Sequence, residues 1–316
     1  MGKKTVGAAL AGAFGAGMYL TFYEVMGRDA KLFGKFAEVF NKKNPPAKEI
    51  SSSANQEKLD WFHQQEFQEF EMVSDRGLKL KGYLLPAEKP SDVYVFCSHG
   101  YRSTGRGEYR YFSKYYHDKG YNLFYVDHQA AGESEGKYIG FGYHEYKDCL
   151  KWLDFMNKTF GPDIQIFLHG VSMGSATVMM MTGSPDLPSN VKFTVADCGY
   201  TSAWDQFDHN LEVLGIFRYP VLWGSDVWNK LINGYHYTEA NPLQSVANAK
   251  IPMLFVHGDN DNFVPTEMVW RLYNACSAPY KDVFLIAGAA HAEAYKVDPV
   301  TYEAKLDEFT EKFLNK

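Results

Sequence analysis

Cysteine is scarce in this chain and scattered. Cys97, Cys149, Cys198 and Cys276 are the four among 316 residues, with no C-x-x-C pair and no histidine at metal-ligand spacing. Neither a zinc site nor a thioredoxin-like dithiol is indicated, and because each falls in or beside an apolar pattern, buried free thiols are expected. A basic block is also missing. Lys and Arg total 32 against 38 Asp and Glu, a net charge of −6, which excludes nucleic acid as a partner and gives no steering toward anionic substrates. Internal repeats and low-complexity tracts are absent too. What remains, at 46% hydrophobic and 22% charged, is a globular chain able to bury one large core with a small accessory subdomain.

Charge is lacking in one long stretch near the start. Lys3 and Lys4 precede an uncharged run from 5 to 23, rich in Ala, Gly, Leu and Phe, that ends at Glu24. Roughly 19 residues at 1.5 Å rise reach about 28 Å, just enough for a bilayer's hydrocarbon core. The A-x-A triplets at 9–11 and 11–13 come too soon after the lysines for a cleaved signal peptide. Residues 1–27 are therefore expected to form an uncleaved single-pass membrane anchor, with lipid contact through 5–23. The alternative is a soluble, cytoplasmic chain whose apolar helix docks on its own body or on a second copy. Arg28, Lys31, Lys35, Lys42 and Lys43 favour a cytoplasmic body by the positive-inside rule, but Asp29 and Glu38 blur the count and leave the side of the membrane open.

Residues 28–60 read as a helix and then a linker, with Pro45-Pro46 and a serine run at 51–53. From 61 to 316 strand and helix patterns alternate. Strands are expected at 67–73, 78–85, 93–98, 122–126, 164–168, 191–196, 253–256 and 282–286, and helices at 108–119, 144–157, 175–182, 266–276 and 301–314. This is the rhythm of an α/β fold, a mostly parallel sheet flanked by helices. It breaks from about 200 to 248, where Trp204, Phe207, Leu211, Phe217, Trp223, Trp228 and Tyr235 crowd into one insertion between strands 6 and 7.

Gly170-Val171-Ser172-Met173-Gly174 sits where a buried strand turns into a helix. A sharp turn of that kind crowds the neighbours of its central residue, so glycines flank it and the serine hydroxyl is pushed out above the sheet. Serine is a poor nucleophile at neutral pH; it needs a base, and the base needs a buried acid to hold its tautomer. The loop 257–265 after one late strand offers Asp259 and Asp261, and the loop 287–291 after the next offers His291. An acid pair also suggests metal ligation, but only His257 lies near to extend the set, and no metal or cofactor is expected. The N–H of Met173, which follows the nucleophile, is the natural oxyanion donor.

In these residues the chain resembles the α/β-hydrolase superfamily, and within it bacterial serine hydrolases of the esterase and lipase kind that carry an N-terminal anchor. Four motifs from about Phe67 onward carry the resemblance: His99-Gly100, the segment 127–136, the serine elbow, and the acid and histidine loops. It implies an α/β-hydrolase fold with a helical, aromatic-rich cap from the 200–248 insertion. It implies a triad of Ser172, Asp261 and His291, in that order, with Asp261 preferred over Asp259. It also implies Tyr101 N–H as the second oxyanion donor beside Met173. Gln129 and Ala131 depart from the arginine and histidine that many relatives carry there, which puts any substrate group those side chains would bind in doubt.

An apolar cap favours a small-molecule ester with an acyl chain or an aromatic acid, and Tyr101, Trp204, Phe207 and Trp223 are the candidate substrate contacts. Arg102 and Arg106 are candidates for binding an anionic group. The leading expectation is a carboxylic-ester hydrolase working through an acyl-enzyme on Ser172. A thioesterase or a peptidase or amidase with the same triad is the alternative, and a non-catalytic, membrane-anchored binding module is the third reading.

Overall fold

The computed structural model describes residues 3–31 and 53–314, with side chains from 15 and from 55 onward in those stretches. The linker expected around Pro45 lies outside the described residues, and the last residue of the serine run, Ser53, already begins a helix. Eight strands form one sheet: β1 (Gln68–Val73), β2 (Lys79–Leu85), β3 (Val93–Ser98), β4 (Asn122–Val126), β5 (Gln165–Val171), β6 (Val191–Asp197), β7 (Met253–Gly258) and β8 (Lys281–Ile286). Their order is β1-β2-β4-β3-β5-β6-β7-β8. β2 runs antiparallel to both of its neighbours, and every pairing from β4 to β8 is parallel.

Every residue of β3, β4, β5 and β7 is buried, as a parallel sheet covered on both faces requires, so these strands read as nearly continuous apolar runs. β1 at the edge is exposed or half-exposed throughout, and Gln68, Glu69 and Glu71 there discourage edge-to-edge pairing. One face packs Tyr109, Tyr116, Tyr125, Phe193 and Tyr302. The other packs Phe124, Trp152, Leu153 and Met156. Of these, Trp152, Leu153 and Met156 belong with Cys149 to the apolar stripe of the helix Tyr143–Phe160, recurring at the i, i+3, i+4, i+7 spacing of a helix with one buried face.

The helix expected over 108–119 is two short ones, Gly105–Tyr109 and Ser113–Asp118. Buried polar partners explain the break. Tyr109 donates its hydroxyl to the carbonyls of Ser98 and His169, and the turn that follows swings Phe112 onto Tyr295, with ring centroids 4.1 Å apart.

The insertion after β6 is helical. We call Lys3–Met26 α1, Ser53–His63 α2, the two short helices α3 and α4, Tyr143–Phe160 α5 and Met173–Thr182 α6; the cap then contains α7 (Ala203–Val213), α8 (Arg218–Asn233) and α9 (Pro242–Val246). The described half of α1 lies on this cap and on the body. Trp228 of α8 donates its indole N–H to the Gly15 carbonyl at 3.1 Å, the Tyr19 ring meets Trp228 edge-on at 5.2 Å, and Phe22 and Met26 are fully buried. Arg28 then pins the end of the segment through the carbonyls of Gly132 and Ser134, both at 2.6 Å. Among the described residues no helix is long and apolar enough to cross a membrane. The first part of the run expected as an anchor lies outside the residues whose side chains are described, and its second part, expected in lipid, packs on protein instead.

Candidate active site

Ser172 is the first residue after β5, at φ 56° and ψ −115°. A left-handed backbone at a non-glycine costs on the order of 1–3 kcal/mol and persists only where its surroundings over-determine it. The flanking glycines explain how. A Cβ on Gly170 would lie 2.2 Å from the Gly174 carbonyl oxygen, and one on Gly174 would lie 1.9 Å from that of Ser98. The Ser172 amide donates to the Asp197 carbonyl at 2.8 Å, which closes the turn against β6.

His291 arrives on the loop after β8 and stands 2.8 Å from Ser172 Oγ through Nε2. Its Nδ1 lies 2.7 Å from Asp261 Oδ2. Asp261 is fully buried on the loop after β7, and its other oxygen accepts the amides of Phe263 and Val264 at 3.0 and 2.9 Å. Burial alone would raise the Asp261 carboxyl, but the imidazoles of His291 and His257 and their hydrogen bonds outweigh it and hold the group well below the usual carboxylate range. Burial likewise opposes charge on His291, yet the Asp261 carboxylate prevails and raises the imidazole above its ordinary value. Asp259, the alternative acid, is exposed and accepts the Gly288 amide at 2.6 Å instead. The Cys198 thiol comes within 4.8 Å of the Asp261 and His291 ligand atoms, but those two groups already spend the atoms in question on each other.

The two expected oxyanion donors come from different segments beside the nucleophile. Met173 is the first residue of α6, where helix amides have no intrahelical partner. Tyr101 follows Gly100, whose Cβ position would be 3.3 Å from that of Ser172. Three hydrogen bonds hold this loop: Glu108 accepts the Gly100 amide at 3.1 Å, His99 Nδ1 donates to the Gly100 carbonyl at 2.7 Å, and His99 Nε2 accepts the His128 amide at 3.0 Å. That amide fixes the neutral His99 tautomer, with the proton on Nδ1.

A cavity of about 300 Å³ opens from Ser172 under the cap, lined mainly by apolar side chains that include Phe207, Leu211, Ile216 and Leu222. Tyr101 and Phe207 line it as expected. Trp204 and Trp223 do not. Trp204 packs beside the cap's core, and Trp223 is 62% exposed, one position and so about 100° around α8 from buried Leu222. The two loop arginines are committed elsewhere. Arg106 pairs with Glu133 at 3.5 Å and lies over the Tyr83 ring, while Arg102 binds backbone carbonyls at the end of α1. Gln129 is a buried strut between Arg76 and the Tyr138 carbonyl, at 2.8 Å from each.

Three features escaped the sequence reading. Leu20, Thr21, Glu24 and Val25 of α1 form a wall of the cavity; their signal was the i, i+4 pair Phe22 and Met26 in a run taken as lipid-facing. His257 is a second imidazole on Asp261 Oδ2, at 3.2 Å. Asp197, one residue beyond the expected end of β6, is fully buried behind the triad with Oδ1 unpaired, and Tyr302 donates to its Oδ2 at 2.9 Å.

A nucleophilic serine on the elbow of this sheet, with its acid and base on the loops after the last two strands, defines a serine hydrolase of the α/β-hydrolase class. Within that class the chain belongs to the prolyl oligopeptidase family, whose sequence pattern matches residues 108–316. It is 27% identical over 249 residues to the uncharacterized protein YqkD of Bacillus subtilis, covering 78% of this chain and 80% of that one. The fold is similar to that of the Pyrococcus furiosus esterase Pf2001, with TM-score 0.66 and 20% identity over 85% of this chain and 98% of the esterase. A Pyrococcus horikoshii acylaminoacyl peptidase shares the fold as well, with TM-score 0.60 and 18% identity, over 81% of this chain and 43% of the peptidase.

Proposed function

We propose that the enzyme hydrolyses carboxylic esters of apolar acyl or aromatic acids. The observation that carries this reading is the shape and lining of the cavity. It includes Ser172 and is lined mostly by apolar side chains such as Phe141, Leu211, Leu214 and Val221, which suits an acyl chain better than a sugar or a charged peptide.

In this reading His291 Nε2 takes the proton from Ser172 Oγ as that oxygen attacks the ester carbonyl. The Met173 and Tyr101 amides receive the developing oxyanion, each worth about 2.7–4 kcal/mol of transition-state stabilisation. The C–O bond to the alcohol then breaks, and the leaving oxygen takes the proton from His291. Water, deprotonated by the same imidazole, attacks the acyl-enzyme and releases the acid and free Ser172.

Hydrolysis of p-nitrophenyl esters from acetate to palmitate by the wild type and Ser172→Ala tests it. A chain-length optimum that is lost in the variant is expected; no turnover of any ester would overturn it. The family match favours one second reading, hydrolysis of amide-linked acyl groups or short peptides by the same triad. Competition between matched ester, thioester and amide substrates separates the two, and faster amide turnover would decide for the second.

Lipid is the partner we infer for the cap. Tyr219, Trp223, Val227 and Leu231 recur every four residues along α8 and are 50% to 71% exposed, and Leu20, on the helix packed against α8, is 59% exposed. A Trp-bearing apolar face next to a helix with an uncharged run from 5 to 23 is the pattern of an interfacial contact with a bilayer.

A further inference from the structure

Helix α1 ends where the oxyanion loop begins to turn. The last carbonyls of a helix have no intrahelical donors, and here residues of that loop supply them. Tyr101 donates its hydroxyl to the Val25 carbonyl. The Arg102 guanidinium donates to the carbonyls of Glu24 at 3.2 Å, Gly27 at 2.9 Å and Arg28 at 3.3 Å. Arg102 Nε also donates to the Tyr101 hydroxyl at 2.9 Å, so the two side chains grip the helix end as one unit.

Arg102 itself is at φ 58°. A left-handed arginine is strained, and it keeps that conformation because something on its far side holds it. The grip on α1 does so, and it lies one residue from the Tyr101 amide, the expected second oxyanion donor. The same turn of α1 and the one before it give Val25, Glu24, Thr21 and Leu20 to the cavity wall.

We propose that α1 is a working part of the catalytic site. Thr21 and Val25 help set the length of acyl group accepted, and Tyr101 and Arg102, by binding the end of α1, are positioning residues that hold the oxyanion loop. The proposal rests on the serine-hydrolase reading of the site but not on the choice of ester over amide.

The test uses the purified full chain and two alkyl fluorophosphonates, one ethyl and one dodecyl, whose labelling of Ser172 needs no ester turnover. Thr21→Trp is expected to lower the dodecyl-to-ethyl ratio of labelling rates by about tenfold. Arg102→Ala is expected to lower both rates by about tenfold or more, and to lower kcat on p-nitrophenyl acetate similarly with KM within about twofold. Arg102→Lys should recover part of the loss. If Arg102→Ala does not fold, Tyr101→Phe, which removes only the hydroxyl, carries the same test.

A labelling ratio unchanged in Thr21→Trp would overturn the wall, and rates unchanged in Arg102→Ala or Tyr101→Phe would overturn the clamp. Failure of the ester reading looks different: the wild type would label and yet cleave no ester, with both labelling arms still decisive. A wild type that does not label would overturn both.

Discussion

His257 Nε2 lies 3.2 Å from the same oxygen of Asp261 that binds His291, and 2.9 Å from the Val264 carbonyl oxygen. A ring nitrogen facing a carbonyl at that distance carries a proton, so His257 Nε2 is a donor shared between the carbonyl and the carboxylate. It stabilises the ionised Asp261 that His291 needs.

Replacing that imidazole with an apolar ring leaves Asp261 with one donor fewer and a stronger pull on the His291 proton. His257→Phe is therefore expected to raise the acid limb of the kcat/KM profile and to lower kcat about tenfold with little change in KM. In the wild type the limb is expected above the ordinary imidazole value, because Asp261 raises His291, with activity falling as pH drops through it. A profile for His257→Phe that overlies the wild type would show that His257 only fills space.

Asp197 carries the opposite cost. Burial pushes its carboxyl up from 3.8 to about 6, although the Tyr302 hydroxyl and the imidazoles of His257 and His291 pull it down. A carboxyl raised on folding loses stability as pH climbs from the unfolded value through the folded one. That shift corresponds to roughly 3 kcal/mol at pH 8 and to nothing below about pH 4. Asp197→Asn should therefore raise Tm at pH 8 but not at pH 4. Because Asp197 also helps raise His291, the acid limb should move down. Thermal melts at the two pH values with one pH–rate profile check both, and an equal Tm change at both would remove the ionisation argument.

The glycines of the elbow should respond unlike those of α1. Gly174→Ala puts a Cβ 1.9 Å from backbone, a clash that cannot relax without opening the turn, and a loss above about 4 kcal/mol is expected. Gly17, with nothing within 4 Å of its Cβ position, should accept Ala with a gain of up to about 1 kcal/mol in helix stability. Chemical denaturation of both variants decides, and similar midpoints would show that the steric reading of the elbow is wrong.

The site was more legible than its surroundings, and the difference is one of range. The elbow announces itself because a local steric demand, met only by Gly170 and Gly174, is written into five consecutive residues. Asp261 and His291 sit on short loops after apolar strands, so chain order placed the loops, and the resemblance to α/β-hydrolases chose Asp261 over Asp259. Trp204 and Trp223 were misplaced because density of aromatics in a helix does not tell which face turns inward. The wall from α1 was out of reach for another reason: a helix that packs on its own cap has the same apolar composition as one that lies in lipid, and only the partner, some 200 residues away at Trp228, distinguishes them. His257 stood in the quoted loop, four residues before Asp261, and was weighed only as a metal ligand.

The lipid contact proposed for the cap can be tested apart from catalysis, because the exposed row on α8 does not line the cavity. Trp223 and Leu231 are 62% and 71% exposed, and neither lines the cavity. A tryptophan and a leucine at a bilayer surface each contribute on the order of 1–3 kcal/mol through buried apolar area. Trp223→Glu with Leu231→Glu should therefore lower co-flotation of the full chain with phosphatidylcholine vesicles by about tenfold or more, while turnover of a short soluble ester stays as in the wild type. Equal flotation would remove α8 from the lipid contact and leave α1 alone to account for any binding. Loss of a dimer in place of loss of flotation, read by sedimentation, would mean that the row is covered by a second copy of the chain.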